Sequence, residues 1–150
     1  MAKINLEKFK NKKILAIDFG TKLTGLAMFC EGRDMSPYPY GSLKYVNDDK
    51  LISGILNIVK ESSANVAVLG VPKLLDGKET SMSKKIRDFG EKLGDKLGSI
   101  PLLFQDESLS TFEAEERMRE SPRYNFKVDK KQLDALAASI ILEDFLSSES

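Results

Sequence analysis

The chain contains no histidine and one cysteine among its 150 residues. The missing histidine removes Ser-His-Asp and Cys-His catalysis, histidine general bases and nearly all catalytic zinc sites. The lone Cys30 excludes an intrachain disulfide and any multi-cysteine metal site, and its apolar surroundings read as core. No apolar run approaches the roughly 18 residues of a membrane span. The amino terminus, MAKINLEKFKNKK, is charged and lacks the apolar block of a secretory signal. The expectation is a cytoplasmic protein with no membrane association. Net charge is also absent, with 23 basic and 23 acidic residues. Any polyanion must therefore meet a local concentration of positive charge rather than a basic surface overall. An enzyme built from this composition works with carboxylates, lysines, hydroxyls and a bound metal ion.

What is present fits one globular domain, expected over residues 13–150 behind a short basic extension at 1–12. Lys13–Phe19 and Thr24–Cys30 are strand candidates joined by a turn-sized link, which predicts a hairpin. A third antiparallel strand is expected over Gly41–Val46. Helix and strand then alternate. Asp48–Glu61 gathers Leu51, Ile52, Ile55, Leu56 and Val59 on one helical face. Asn65–Val71 is nearly all apolar, the mark of a strand buried on both faces. Met82, Ile86, Phe89, Leu93 and Leu97 follow helical spacing, and Pro101–Gln105 is a further strand. Ser110-x-x-Glu113 and Asp129-x-x-Gln132 read as capping boxes opening two last helices. The order β-β-β-α-β-α-β-α-α implies an α/β fold. It has one mixed five-stranded sheet, three antiparallel strands then two parallel, with helices on both faces.

Three acids stand where folding alone explains them poorly. Asp18 interrupts the apolar run ILAIDF, and burying an ionised carboxylate costs several kcal/mol unless it is paired or binds a metal. Glu107 follows PLLFQD at the carboxyl end of another strand, the edge where open α/β sheets collect their active sites. Asp134 enters the apolar stripe of the final helix beside Ala135, Ala137 and Ala138, small residues that let a helix approach a sheet. Taken singly, each has a plainer reading: a turn aspartate, a solvated post-strand acid, a residue favoured by the helix dipole. Together they can reach one sheet edge. Converging carboxylates need a cation, and oxygen-only ligands suit Mg²⁺ or Mn²⁺. Two such ions, about 3.5–4 Å apart, activate water and stabilise the leaving oxygen of a phosphodiester. The expectation is that Asp18 bridges the ions while Glu107 and Asp134 each hold one side.

The segments LAIDFGTKLTGLAM (15–28), VLGVPKLLDGKE (68–79), DESLSTFEAEERM (106–118) and KKQLDALAASIILEDFL (130–146) resemble the YqgF/RuvX family. The resemblance covers residues 13–146 in order. It implies a ribonuclease H-like fold and a nuclease activity, chiefly maturation of the 5′ end of pre-16S ribosomal RNA in ribosome biogenesis. Holliday junction resolution, the activity after which the family was first named, is the alternative. Asp18, Glu107 and Asp134 match the family's three acidic positions, Thr21 and Lys22 its post-strand turn, and Gly70, Pro72, Asp76 and Gly77 its G-x-P…D-G loop. Ser108 replaces the usual arginine after Asp-Glu, and Leu23 and Lys131 replace commoner residues.

Nucleic acid is the expected partner, structured RNA first and branched DNA second, with the protein a monomer or weak homodimer. Arg117, Arg119, Arg123, Lys127, Lys130 and Lys131 surround Tyr124 and Phe126 just before Asp134. Such residues bind phosphates and stack on unpaired bases. Arg117, Arg123, Tyr124, Lys127, Lys130 and Lys131 are the candidate substrate contacts in this stretch. Thr21 and Lys22 join them, with Lys22 beside Asp18 the candidate for the scissile phosphate. Two rivals compete. Ile17-Asp18-Phe19-Gly20-Thr21 resembles the opening of actin-like and sugar-kinase ATPases, but 150 residues leave no room for their second lobe. A non-catalytic nucleic-acid-binding module would not need all three acids.

Overall fold

A computed structural model describes residues 8–72, 77–107 and 110–149. Asp76 and Ser108, both singled out above, and residues 1–7 of the extension lie outside the described residues. Five strands form one sheet: β1 (Lys13–Asp18), β2 (Leu23–Cys30), β3 (Tyr38–Lys44), β4 (Val66–Pro72) and β5 (Leu102–Glu107). Their spatial order is β3-β2-β1-β4-β5. The first three pair antiparallel, and β4 and β5 run parallel to β1. This is the mixed sheet that the hydrophobic periodicity implies.

Alternation assigns the faces. Leu15, Ile17, Leu26, Met28, Ala67, Leu69 and Val71 point to one side. There they meet α1 (Asp48–Ser62) through Leu51, Ile52, Ile55 and Val59, and α2 (Ser81–Leu97) through Ile86, Phe89, Leu93 and Leu97. Ile14, Ala16, Ala27, Phe29, Val66 and Val68 point to the other side and meet Ala138, Ile141, Leu142 and Phe145 of α4 (Lys130–Glu149). The short α3 (Ser110–Arg119) packs outside α4, with Ala114 and Met118 against Leu136, Ala137 and Ile140. Helix α4 is thus covered on two sides, so its apolar residues exceed the single stripe of a surface helix. None of the described helices is long and apolar enough to cross a membrane.

The caps follow the local chemistry. Asn47 accepts from the Lys50 amide at the start of α1, and Thr80 and Ser83 form the capping box of α2. At α4, the Asp129 carboxylate accepts from the Lys131 amide at 3.0 Å and from the Gln132 side chain at 2.7 Å, so the expected pair closes side chain to side chain. Most boundaries shift by a residue, and those of β3 and β5 by more. β3 spans Tyr38–Lys44 rather than Gly41–Val46 and carries a bulge opposite Leu26 and Ala27. β5 runs on to Glu107, paired with Pro72. Within the segment read as an extension, Phe9 is buried against Phe145 in an edge-on ring contact, centroids 5.6 Å apart.

Candidate active site

Asp18 ends β1, and strand alternation turns it to the α4 face together with Ile14 and Ala16. Its partner across the antiparallel pair is Gly25 of β2. A methyl group on Gly25 would overlap the backbone carbonyl of Asp134. A strand glycine therefore lets α4 settle directly on the sheet, and that contact sets Asp134 beside Asp18. Gly70 of β4 makes a second close approach, since a Cβ there would lie 2.5 Å from Ile141 Cδ1. The glycine inside TGLAMFC is the sequence signal for this close seat, one that apolar periodicity gives no weight.

The electrostatics of the pair are those of crowded acids. Burial first, and the Asp134 charge second, push the Asp18 carboxyl up to about 7. Burial also raises Asp134 above the ordinary carboxylate range. Neither acid takes part in an ion pair with Lys or Arg among the described residues. Two half-buried carboxylates without an ion-pair partner among the described residues are a set of hard oxygen donors that fits Mg²⁺ or Mn²⁺.

Glu107 shares the α4 face but not the immediate neighbourhood. The parallel registers align Asp18 with Gly70 and Gln105, which leaves Glu107 two strands over and two residues further along. Strand spacing and rise then separate the two backbones by roughly 12 Å. Glu107 is 9% exposed. No group of three or more potential ligands is close enough to hold a single ion among the described residues. The structure brings Asp18 and Asp134 together and leaves Glu107 across the same edge.

A family model described as "RuvX: Holliday junction resolvase" matches residues 12–148. The chain belongs to the RuvX family. A relative from Maridesulfovibrio salexigens named "Putative pre-16S rRNA nuclease" is 35% identical, covering 90% of this chain and 98% of its own. One from Malacoplasma penetrans with the same name is 36% identical over 93% and 96%. Among solved structures, Thermus thermophilus RuvC in complex with a Holliday junction substrate superposes with a TM-score of 0.54 at 10% identity, over 89% of this chain and 94% of that one. At that identity the likeness speaks for the fold, which is ribonuclease H-like. Membership in the RuvX family makes the chain a phosphodiester-hydrolysing enzyme of the nuclease class.

The remaining RuvX candidate residues separate into two groups. Thr21 and Lys22 are exposed on the β1–β2 turn beyond Asp18. That turn is closed by the buried Thr24 hydroxyl, which bonds both the amide and the carbonyl of Gly20. Arg123, Lys127, Lys130 and Lys131 are exposed, and none of the four is in an ion pair among the described residues. Tyr124, Lys127, Lys130 and Lys131 line one open groove. Arg117 is different. Its guanidinium donates twice to Glu143, at 2.9 and 2.8 Å, and once to Glu113 at 2.7 Å. These bonds hold its pKa well above the usual value. It ties α3 to α4, unlike the four exposed basic residues that follow it.

Proposed function

We propose that the chain is a divalent-metal-dependent nuclease whose reaction centre is the Asp18–Asp134 pair, completed by Glu107, and that it trims the 5′ end of pre-16S ribosomal RNA. The observation that carries this reading is the pairing of two half-buried carboxylates, neither in an ion pair with Lys or Arg among the described residues. The RNA substrate is supported by the names of relatives that match along nearly their full length.

Bound divalent ions would supply an activated water and charge neutralisation at the departing oxygen. The chain's own residues do the rest. Asp18 and Asp134 would be the paired donors, and Glu107, two strands over on the same sheet edge, would hold a further ion. The raised pKa of Asp18 means that it is partly protonated near pH 7, and that proton must leave before its carboxylate serves as a ligand. Lys22, at the turn beyond Asp18, takes the phosphate next to the scissile bond. Lys127, Lys130 and Lys131 grip the backbone leading to it, and Tyr124 packs on an unpaired base. Arg123 extends this basic track.

A four-way DNA junction is the second reading, favoured by the family description. Resolution of a junction needs two symmetric centres and hence a homodimer. Incubating a pre-16S leader RNA and a four-way junction with the protein, with and without Mg²⁺ or Mn²⁺, separates the two. Metal-dependent cutting of the leader RNA by wild type, abolished in Asp18→Asn, is the expected result. Undiminished cutting by Asp18→Asn removes the role given to that residue.

A further inference from the structure

Strand β3 is an edge of the sheet, and it carries a bulge beside the acid pair. Gly41 stands opposite Leu26 and Pro39 opposite Ala27, so Tyr40 is the extra residue. A bulge turns its extra side chain out of the regular alternation, and bulges recur next to active sites. Tyr40 is 45% exposed. It lines a notch with Ser42 on the strand side and Lys131, Gln132 and Ala135 of α4 on the helix side.

Two independent paths lead from this notch to the acids. Lys131 lies three residues before Asp134 on α4, one turn away on the same side of the helix. Ser42 is paired with Gly25, the residue that touches the Asp134 backbone and pairs with Asp18. The notch holds about 190 Å³, below the roughly 300–1,000 Å³ of pockets that enclose a whole small molecule. Its size suits one part of a larger ligand rather than a whole small molecule.

From this juxtaposition we infer that Tyr40 and Lys131 form a binding notch for one unpaired nucleotide next to the scissile bond, the ring stacking on the base and the ammonium meeting its phosphate. A phenol ring stacks on any base face but cannot reach one inside a continuous duplex, so the substrate class is a single-stranded segment or an unpaired end. The inference rests on the reading of Asp18 and Asp134 as the reaction centre. Tyr40 adds a specificity determinant from the strand side to the basic 122–131 stretch.

The chain has no tryptophan, so Tyr40→Trp introduces its one indole at the notch. In an Asp18→Asn background, which prevents cutting, the protein is titrated with three probes: a short oligoadenylate strand, an abasic strand of equal length and charge, and a blunt RNA duplex. Quenching of the indole by oligoadenylate alone is expected. Tyr40→Ala, with melting unchanged, should weaken oligoadenylate binding on the order of tenfold, and Tyr40→Phe should restore it. Equal quenching by the abasic strand, or oligoadenylate binding untouched by Tyr40→Ala, overturns the inference. Selective quenching in a protein that cuts neither RNA nor junction would remove the nuclease reading and leave the nucleotide notch standing.

Discussion

The backbone carbonyl of Asp134 rests against the α-carbon of Gly25, and no side chain fits between them. Because Gly25 is also the cross-strand partner of Asp18, one glycine brings together acids that stand 116 positions apart in the chain.

Gly25→Ala should therefore be costly for its size. The added methyl meets backbone rather than a movable side-chain end, so α4 must lift from the sheet. A loss of at least about 2 kcal/mol in chemical denaturation is expected, with loss of cleavage. Gly94→Ala is the control. Its methyl would meet Leu102 at 3.8 Å inside α2, and helix propensity should make it stabilising by about 0.5–1 kcal/mol.

The raised pKa of Asp18 fixes the sign of a pH effect. Its folded value of about 7 exceeds the ordinary 3.8, so the folded state holds a proton that the unfolded chain releases. Stability of the metal-free protein should accordingly fall as pH rises from about 4 to about 7, by a few kcal/mol, and level off above. Asp18→Asn should flatten this dependence and, in EDTA at about pH 8, melt several degrees above wild type. Melting curves at about pH 5 and pH 8 measure both. A variant that melts lower than wild type at pH 8 would give Asp18 a structural role instead.

Metal binding should reverse the same penalty. Mn²⁺ at about pH 8 is expected to raise the melting temperature of wild type by mass action, and to do so less at about pH 5, where it must displace the Asp18 proton. Asp18→Asn and Asp134→Asn should both lose most of the increment. Scanning calorimetry across a Mn²⁺ series reads it directly, and equal increments in all three proteins would place the ion elsewhere.

Mutation should separate Arg117 from the lysines that follow it. Arg117→Met breaks the bonds to Glu143 and Glu113 at a partly exposed site, so about 1 kcal/mol of stability should go while RNA affinity holds. Removing Lys130 and Lys131 should do the opposite. Folding stays, and the slope of log affinity against log salt for a single strand falls by about 0.7 for each phosphate no longer neutralised.

Much of this protein was legible in its residues alone. The strand and helix order follows from the period of apolar residues. The absence of histidine confined the expected chemistry to carboxylates, lysines, hydroxyls and a bound metal ion. Asp18 betrayed itself by interrupting ILAIDF, since no core strand tolerates an ionised group without cause. The bulge at Tyr40 was not legible, because an extra residue is defined only against its partner strand. Nor was the fate of Arg117, whose sequence neighbours are those of a phosphate ligand, while Glu143 reaches it from 26 positions away.

Periodicity by itself determined the elements and the faces of the sheet, because those depend on local spacing, and the four ordered segments that resemble a nuclease family implied the kind of reaction. Only the tertiary structure decided which charges meet. The close seat of α4 on Gly25 and Gly70 set Asp134 beside Asp18, left Glu107 across the same sheet edge and bound Arg117 to Glu143. Electrostatic coupling falls off over a few ångströms, a scale fixed by packing rather than by position along the chain.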